Sequence, residues 1–156
     1  MNPGALRALE FDRIVAVLSG LAVTPTGRDR LEALNPSSDV AEVTAALKTT
    51  SEAVRFLSDH PGFPLRAPAD LHTIVDALDV EGRPLEPVHL LAVAEFLESI
   101  EHSRTAVAKL GPAFPLLRAV ADAAASFKGE IADVRRKIAP SGDVTDEANQ
   151  QIEKKQ

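Results

Sequence analysis

Residues 6–34 read LRALEFDRIVAVLSGLAVTPTGRDRLEAL, and this stretch decides how the fold begins. Its apolar residues recur at three- and four-residue intervals, which predicts a first helix over about residues 3–22. Thr24 then supplies a side chain suited to cap a helix, and Pro25 suits the first helical position. The second helix is short, because Pro36 stops it. The opening is therefore predicted to be a helix, a sharp break and a second helix.

The composition extends this helical prediction to the whole chain. Apolar residues make up 45% of the 156 residues and charged residues 26%, which is an ordinary balance for one globular domain. Phenylalanine supplies all the aromatic content, whereas strands are usually richer in aromatic and β-branched residues. The sequence predicts an all-α helical bundle, with room for one small β-hairpin near 138–146.

Composition also excludes several classes of protein. The chain has no cysteine, which rules out disulfides and thiolate metal sites. It shows no signal-peptide pattern and no apolar run near the ~20 residues that span a bilayer. The net charge of −6 argues against a self-sufficient nucleic-acid-binding domain. We expect a cytoplasmic protein with no membrane partner, which by itself binds DNA weakly.

Further helices are predicted beyond Pro36. Asp39 with Glu42 resembles a capping box that opens a helix to about Ser58, and Asp70 is positioned to cap another. The buried stripe of the Asp39 helix is predicted to be Val40, Val43, Ala46, Leu47, Val54 and Leu57. Later helices are predicted over about residues 87–110, 115–127 and 128–138. We predict a helical core domain over 1–146, followed at 147–156 by the start of a helix that continues beyond this piece.

A search for chemistry finds no catalytic, cofactor-binding or metal-ligating set. The eight glycines do not have the spacing of a P-loop or of the dinucleotide fingerprint. None of the four histidines lies four residues from another, as metal-binding pairs on a helix often do. Glu95, Glu98 and Glu101 share a helix face, which we interpret as a solvated surface rather than an acid–base pair.

Basic residues supply the candidate contact sites. Arg135, Arg136 and Lys137 are consecutive, so on a helix they point in different directions and suit solvated or interface roles. A phosphate contact within a larger assembly is the alternative for these three. Arg28 and Arg30 follow the Thr-Pro break and could reach a partner domain, although pairing with neighbouring carboxylates is the favoured interpretation.

The order of these elements resembles the N-terminus of the bacterial MutS-two family, the MutS-like ATPases outside mismatch repair. The matching residues at the start are Leu9, Glu10, Phe11, Ile14, Leu18, Thr24, Gly27 and Leu31. The family's P-x-x-D-x-x-x-V pattern is similar to Pro36, Asp39 and Val43 of this chain. The next helix of the family is similar to the run Thr50 to Ala53. Residues 142–148, GDVTDEA, are similar to the segment that precedes the family's long coiled arm.

The resemblance implies a role that the residues alone do not give. It implies the first half of a core, or lever, domain that leads into a coiled-coil clamp and a dimeric ATPase, often with a C-terminal Smr nuclease domain. ATP and Mg²⁺ would bind in those other domains, and the clamp would engage branched DNA or collided ribosomes. The alternative hypothesis is an autonomous helical module that binds a protein partner or itself.

Overall fold

The structure is a computed structural model that describes residues 10–60 and 62–145. Within these residues it is all-α, as predicted, and it contains seven α-helices. The helices are α1 (Phe11–Gly20), α2 (Pro25–Glu32), α3 (Val40–Asp59), α4 (Leu71–Leu78), α5 (Pro87–Ala108), α6 (Pro115–Ala123) and α7 (Lys128–Lys137). The predicted helix at 147–156 lies outside the described residues.

The chain divides into two compact units. Unit 1 comprises residues 1–63 and 106–124, and unit 2 comprises residues 64–105 and 125–156. Three apolar residues are buried in unit 1, namely Phe56, Val107 and Phe114. Six are buried in unit 2, namely Leu71, Ile74, Ala77, Leu91, Ala94 and Ile138. In unit 1, α1 packs against α2 and α3 packs against α6.

Local capping chemistry explains where α2 and α3 begin. The Thr24 hydroxyl accepts a hydrogen bond from the Gly27 N–H at 3.1 Å, as predicted. A Cβ at Gly27 would lie 2.9 Å from that hydroxyl oxygen, which explains why glycine stands there. Asp39 caps α3 by accepting from two backbone amides. The capping box is incomplete, because the Glu42 carboxylate accepts from the Ser37 hydroxyl instead of reaching back to Asp39.

Three predicted details are wrong. The first helix cannot run unbroken from residue 3, because Glu10 has the left-handed φ of 49°, and α1 begins at Phe11. The Asp70 side chain makes no capping hydrogen bond and lies 3.8 Å from the His89 imidazole. The helix predicted over 115–127 ends at Ala123, because Ala124 is extended.

The predicted buried stripe of α3 is also wrong. Its larger members are exposed, and the buried residues of α3 are Glu52 and Phe56. Periodicity identified an apolar face correctly, but the segment that packs on α3 within this chain covers a different face. Where a small β-hairpin was allowed near 138–146, the described residues form a single antiparallel bridge between Ile138 and Val144 and no strand.

Candidate functional site

The most specific interhelical contact in unit 2 joins Glu98 on α5 to Arg135 on α7. Nε and Nη2 of Arg135 donate to the two carboxylate oxygens at 2.8 and 2.9 Å. This two-point hydrogen bonding is the main cause that lowers the pKa of Glu98, and partial burial opposes it. A bidentate pair fixes orientation as well as distance, so it sets how α7 lies on α5.

Glu101, one turn further along α5, holds the beginning of α7. Its Oε1 accepts from the Phe127 backbone N–H and from Nη1 of Arg104, both at 3.0 Å. The hydrogen bond from Phe127 is the main cause that lowers the pKa of Glu101, with smaller contributions from Ser126 and Arg104. A carboxylate at a helix N-terminus is also favoured by the helix dipole. The two carboxylates of α5 therefore hold α7 at two points, and we call Glu98, Glu101, Phe127 and Arg135 the α5–α7 brace.

The brace corrects the interpretation of the glutamate row as a solvated face. Glu95 is exposed, but only 12% of the Glu101 side chain and 32% of the Glu98 side chain are accessible. Helical spacing placed the three carboxylates on one face correctly. It could not show that a segment about thirty residues later would cover two of them.

The C-terminal end of α7 is tied to the chain that follows it. The Ala139 N–H donates to the Asp143 carbonyl at 2.8 Å, and Gly142 turns the chain with a φ of 91°. Thr145 then returns to α7, where its N–H donates to the Lys137 carbonyl at 2.9 Å. Its hydroxyl donates to the Arg136 carbonyl at the same distance. The position and direction of the chain at Thr145 are thereby fixed by α7.

The irregular segment before α4 is attached to α5 through Ser99. This buried hydroxyl accepts from the Arg66 N–H at 3.0 Å. It also lies 3.0 Å from the Arg66 carbonyl and 2.7 Å from the Phe96 carbonyl. The described residues of 60–69 form no helix or strand, and nothing local in the sequence identifies Ser99 as the anchor of this segment.

The candidate basic residues are divided between the two units. Arg135 belongs to the brace, while Arg136 and Lys137 both pair with Asp133 on their own helix. Arg28 and Arg30 are exposed on α2, in unit 1. A phosphate or interface role for these five residues stays a prediction.

Unit 1 contains a buried carboxylate, Glu52, that the sequence pattern did not mark as a functional residue. Glu52 is 4% exposed, and its Oε1 accepts from the Leu117 N–H at 2.7 Å. Leu117 lies in the first turn of α6, whose N-cap residue Phe114 makes no side-chain capping bond. Glu52 therefore supplies the missing cap from a different helix. The sequence did contain a signal, because Glu52 lies within the Thr50–Ala53 run that resembles the family.

An aromatic cluster completes the described core of unit 1. The Phe56 ring stacks on His60 at 4.5 Å and on Phe63 at 4.4 Å, and it meets Phe114 edge-on at 6.0 Å. The Arg55 guanidinium lies 5.7 Å from the centre of the Phe114 ring. Phe56 and Phe114 are core residues, and His60 has a packing role.

In the part of the chain that the structure describes, no group of three or more His, Asp or Glu residues could hold a metal ion. No helix in that part is long and apolar enough to cross a membrane. The described geometry is that of a helical scaffold, with carboxylates that position helices.

Comparison with known proteins agrees with the resemblance. The chain is 33% identical over 156 residues to the endonuclease MutS2 of Geobacillus kaustophilus, which covers 97% of this chain and 20% of the relative. It is 29% identical over 150 residues to the endonuclease MutS2 of Thermomicrobium roseum, which covers 94% of this chain and 19% of that relative. The endonuclease MutS2 of Symbiobacterium thermophilum is 31% identical over 149 residues.

These matches first define a class: a helical chain that aligns with one part of much longer proteins. The chain corresponds to one region of proteins of the MutS2 family. It spans about a fifth of the length of the curated relatives that it matches. No family model and no solved structure matches it.

Proposed function

We propose that the chain is the N-terminal core, or lever, region of a MutS2-type ATPase. In this role it is not catalytic, and it transmits ATP-driven motion to a clamp that engages branched DNA or collided ribosomes. ATP and Mg²⁺ bind other domains of the longer protein, which works as a cytoplasmic homodimer. The extent of the match supports the proposal, since nearly all of this chain aligns with about a fifth of each relative.

The geometry of unit 2 suits a mechanical role. A lever requires stiff elements that move as one piece, because coupling depends on discrete arrangements of rigid parts. The α5–α7 brace joins two helices at two points, and Thr145 is tied to the end of α7. A continuous path of hydrogen bonds thus leads from α5 to the residue that precedes Asp146.

The proposal is tested by interrupting that path immediately after Thr145. In the longer protein, Asp146 and Glu147 are replaced by a flexible Gly-Ser linker, because a flexible joint cannot transmit a rotation. We expect ATP hydrolysis to persist while its stimulation by branched DNA or by ribosomes is lost. The matched control inserts the same linker after Gly82, which lies in a described turn between α4 and α5. Normal stimulation with the linker at Asp146 would contradict a lever role.

A second candidate function is favoured by the apolar surface of unit 1. Among the described residues, thirteen of the eighteen large exposed hydrophobic side chains lie in this unit. Apolar surface of this kind often marks an interaction site. The alternative is therefore an autonomous module that associates with itself, and such association would depend on the concentration of the chain.

A further inference from the structure

Helix α3 carries an apolar stripe on the side opposite to its packed face. This α3 stripe consists of the apolar residues Val40, Val43, Leu47, Val54 and Leu57, with the polar residue Thr50 at the remaining position. The exposed fraction is 80% at Val40, 62% at Leu47 and 57% at Val54. With 3.6 residues per turn, the buried residues Glu52 and Phe56 fall on the other side of the helix. Among the described residues, the most regular apolar pattern in α3 therefore lies opposite the face that carries buried Glu52 and Phe56.

The spacing of the α3 stripe identifies the kind of surface that fits it. Its members alternate at three- and four-residue intervals over nearly three heptads, which is the a/d pattern of a coiled-coil seam. Within α3 itself, the flanking e and g positions are small and uncharged, namely Thr44, Ala46, Ser51, Ala53 and Ser58. A second amphipathic helix can therefore pack closely along α3, and no charged residue at these positions selects its identity.

We propose that the α3 stripe is covered by an α-helix from the part of the longer polypeptide that lies outside this chain. The relatives are about five times as long as the chain, so most of the polypeptide is available to supply it. Stable complexes between separate chains typically bury ~1,200–2,000 Å², whereas the α3 stripe occupies one face of a single 20-residue helix. A surface of this size suits a tethered partner, because tethering raises the effective concentration of the partner without adding any contact.

The uncharged flanks point to the same occupant. Helices that must find one partner among many commonly use charged e and g residues for selection. A helix of the same polypeptide needs no such selection. The inference rests on the proposed function only in requiring a longer protein, and it makes no assumption about ATP coupling.

Thiol labelling tests the proposal directly, since the chain contains no cysteine. Val54→Cys and Leu47→Cys place a thiol on the stripe, and Thr49→Cys, also exposed on α3, is the matched control. Each variant is treated with N-ethylmaleimide, both as the isolated chain and within the longer protein, and labelling of each peptide is followed by mass spectrometry. Circular dichroism checks that the helix content is kept.

In the isolated chain, we expect the stripe thiols to react about as fast as the control. In the longer protein, we expect both stripe thiols to react at least about tenfold more slowly than Thr49→Cys, because a packed helix must open before they react. Equal rates in the longer protein would overturn the proposal. Protection in the isolated chain would also overturn it, with a second copy as the occupant if protection rises with concentration and a segment of this chain if it does not. ATP coupling is a separate measurement, so failure here is distinguishable from failure of the lever role.

Discussion

Glu52 shows how one buried carboxylate can position a helix. It lies in the middle of α3, and its hydrogen bond to the Leu117 N–H spans 65 residues of sequence. A backbone N–H in the first turn of a helix has no partner within that helix, so an outside acceptor stabilises it. Thr24 and Asp39 do the same work locally, and their roles could be predicted because donor and acceptor lie within three residues. The role of Glu52 could not be predicted from the sequence, because it depends on where α6 packs.

Removing the Glu52 acceptor should therefore destabilise unit 1. We expect Glu52→Ala to lower the free energy of unfolding by about 1–3 kcal/mol, because the Leu117 N–H loses its partner in a partly buried position. Glu52→Gln is the matched control, since its amide oxygen can still accept, and it should lose clearly less. Urea unfolding followed by circular dichroism measures both. Equal losses for the two variants would show that the hydrogen bond is not the source of the stability.

At the scale of elements, α7 is positioned by carboxylates and α3 is left with an open face. The helices themselves were largely predictable, because caps, prolines and periodicity are local properties of the sequence. The residues that each helix packs against were not predictable from the sequence. Helical spacing correctly grouped Glu95, Glu98 and Glu101, and correctly grouped the apolar residues of α3. In each case the burial was predicted wrongly, because burial depends on residues far away in the sequence.

The brace makes a prediction about pH. The pKa values of Glu98 and Glu101 are lowered from the usual 4.5, so the folded state binds protons less tightly than the unfolded state. Their contribution to stability is therefore complete above about pH 4.5 and is lost as the pH falls through the lower folded values. We expect the difference in unfolding free energy between the native chain and Glu98→Gln to be constant near neutral pH and to shrink below about pH 4.5.

Urea titrations between about pH 7 and pH 3 measure this difference. Asp133→Asn is the control, because Asp133 makes only exposed pairs within α7, and such pairs contribute about 0–1 kcal/mol. A difference for Glu98→Gln that stays constant down to about pH 3 would mean that the ion pair does not stabilise the fold.

At the scale of the whole molecule, the described residues form a helical scaffold with much exposed apolar surface. The described residues of unit 1 bury three apolar residues and expose thirteen large ones, whereas unit 2 has the larger core and the braced helix pair. The family could be recognised from the sequence, because the order of Thr24, Gly27 and the later steps extends along nearly the whole chain. The α5–α7 brace, which suits a lever, could not be recognised from the sequence, because it consists of contacts between distant segments.

The lever role is tested most directly by removing the brace in the longer protein. The double variant Glu98→Ala, Glu101→Ala releases α7 from α5 at both points, and Asp133→Ala is the control that leaves the brace intact. The measurement is the rate of ATP hydrolysis with and without branched DNA or ribosomes. We predict an unchanged basal rate and a loss of stimulation in the double variant, with normal stimulation in the control. Full stimulation in the double variant would contradict the account.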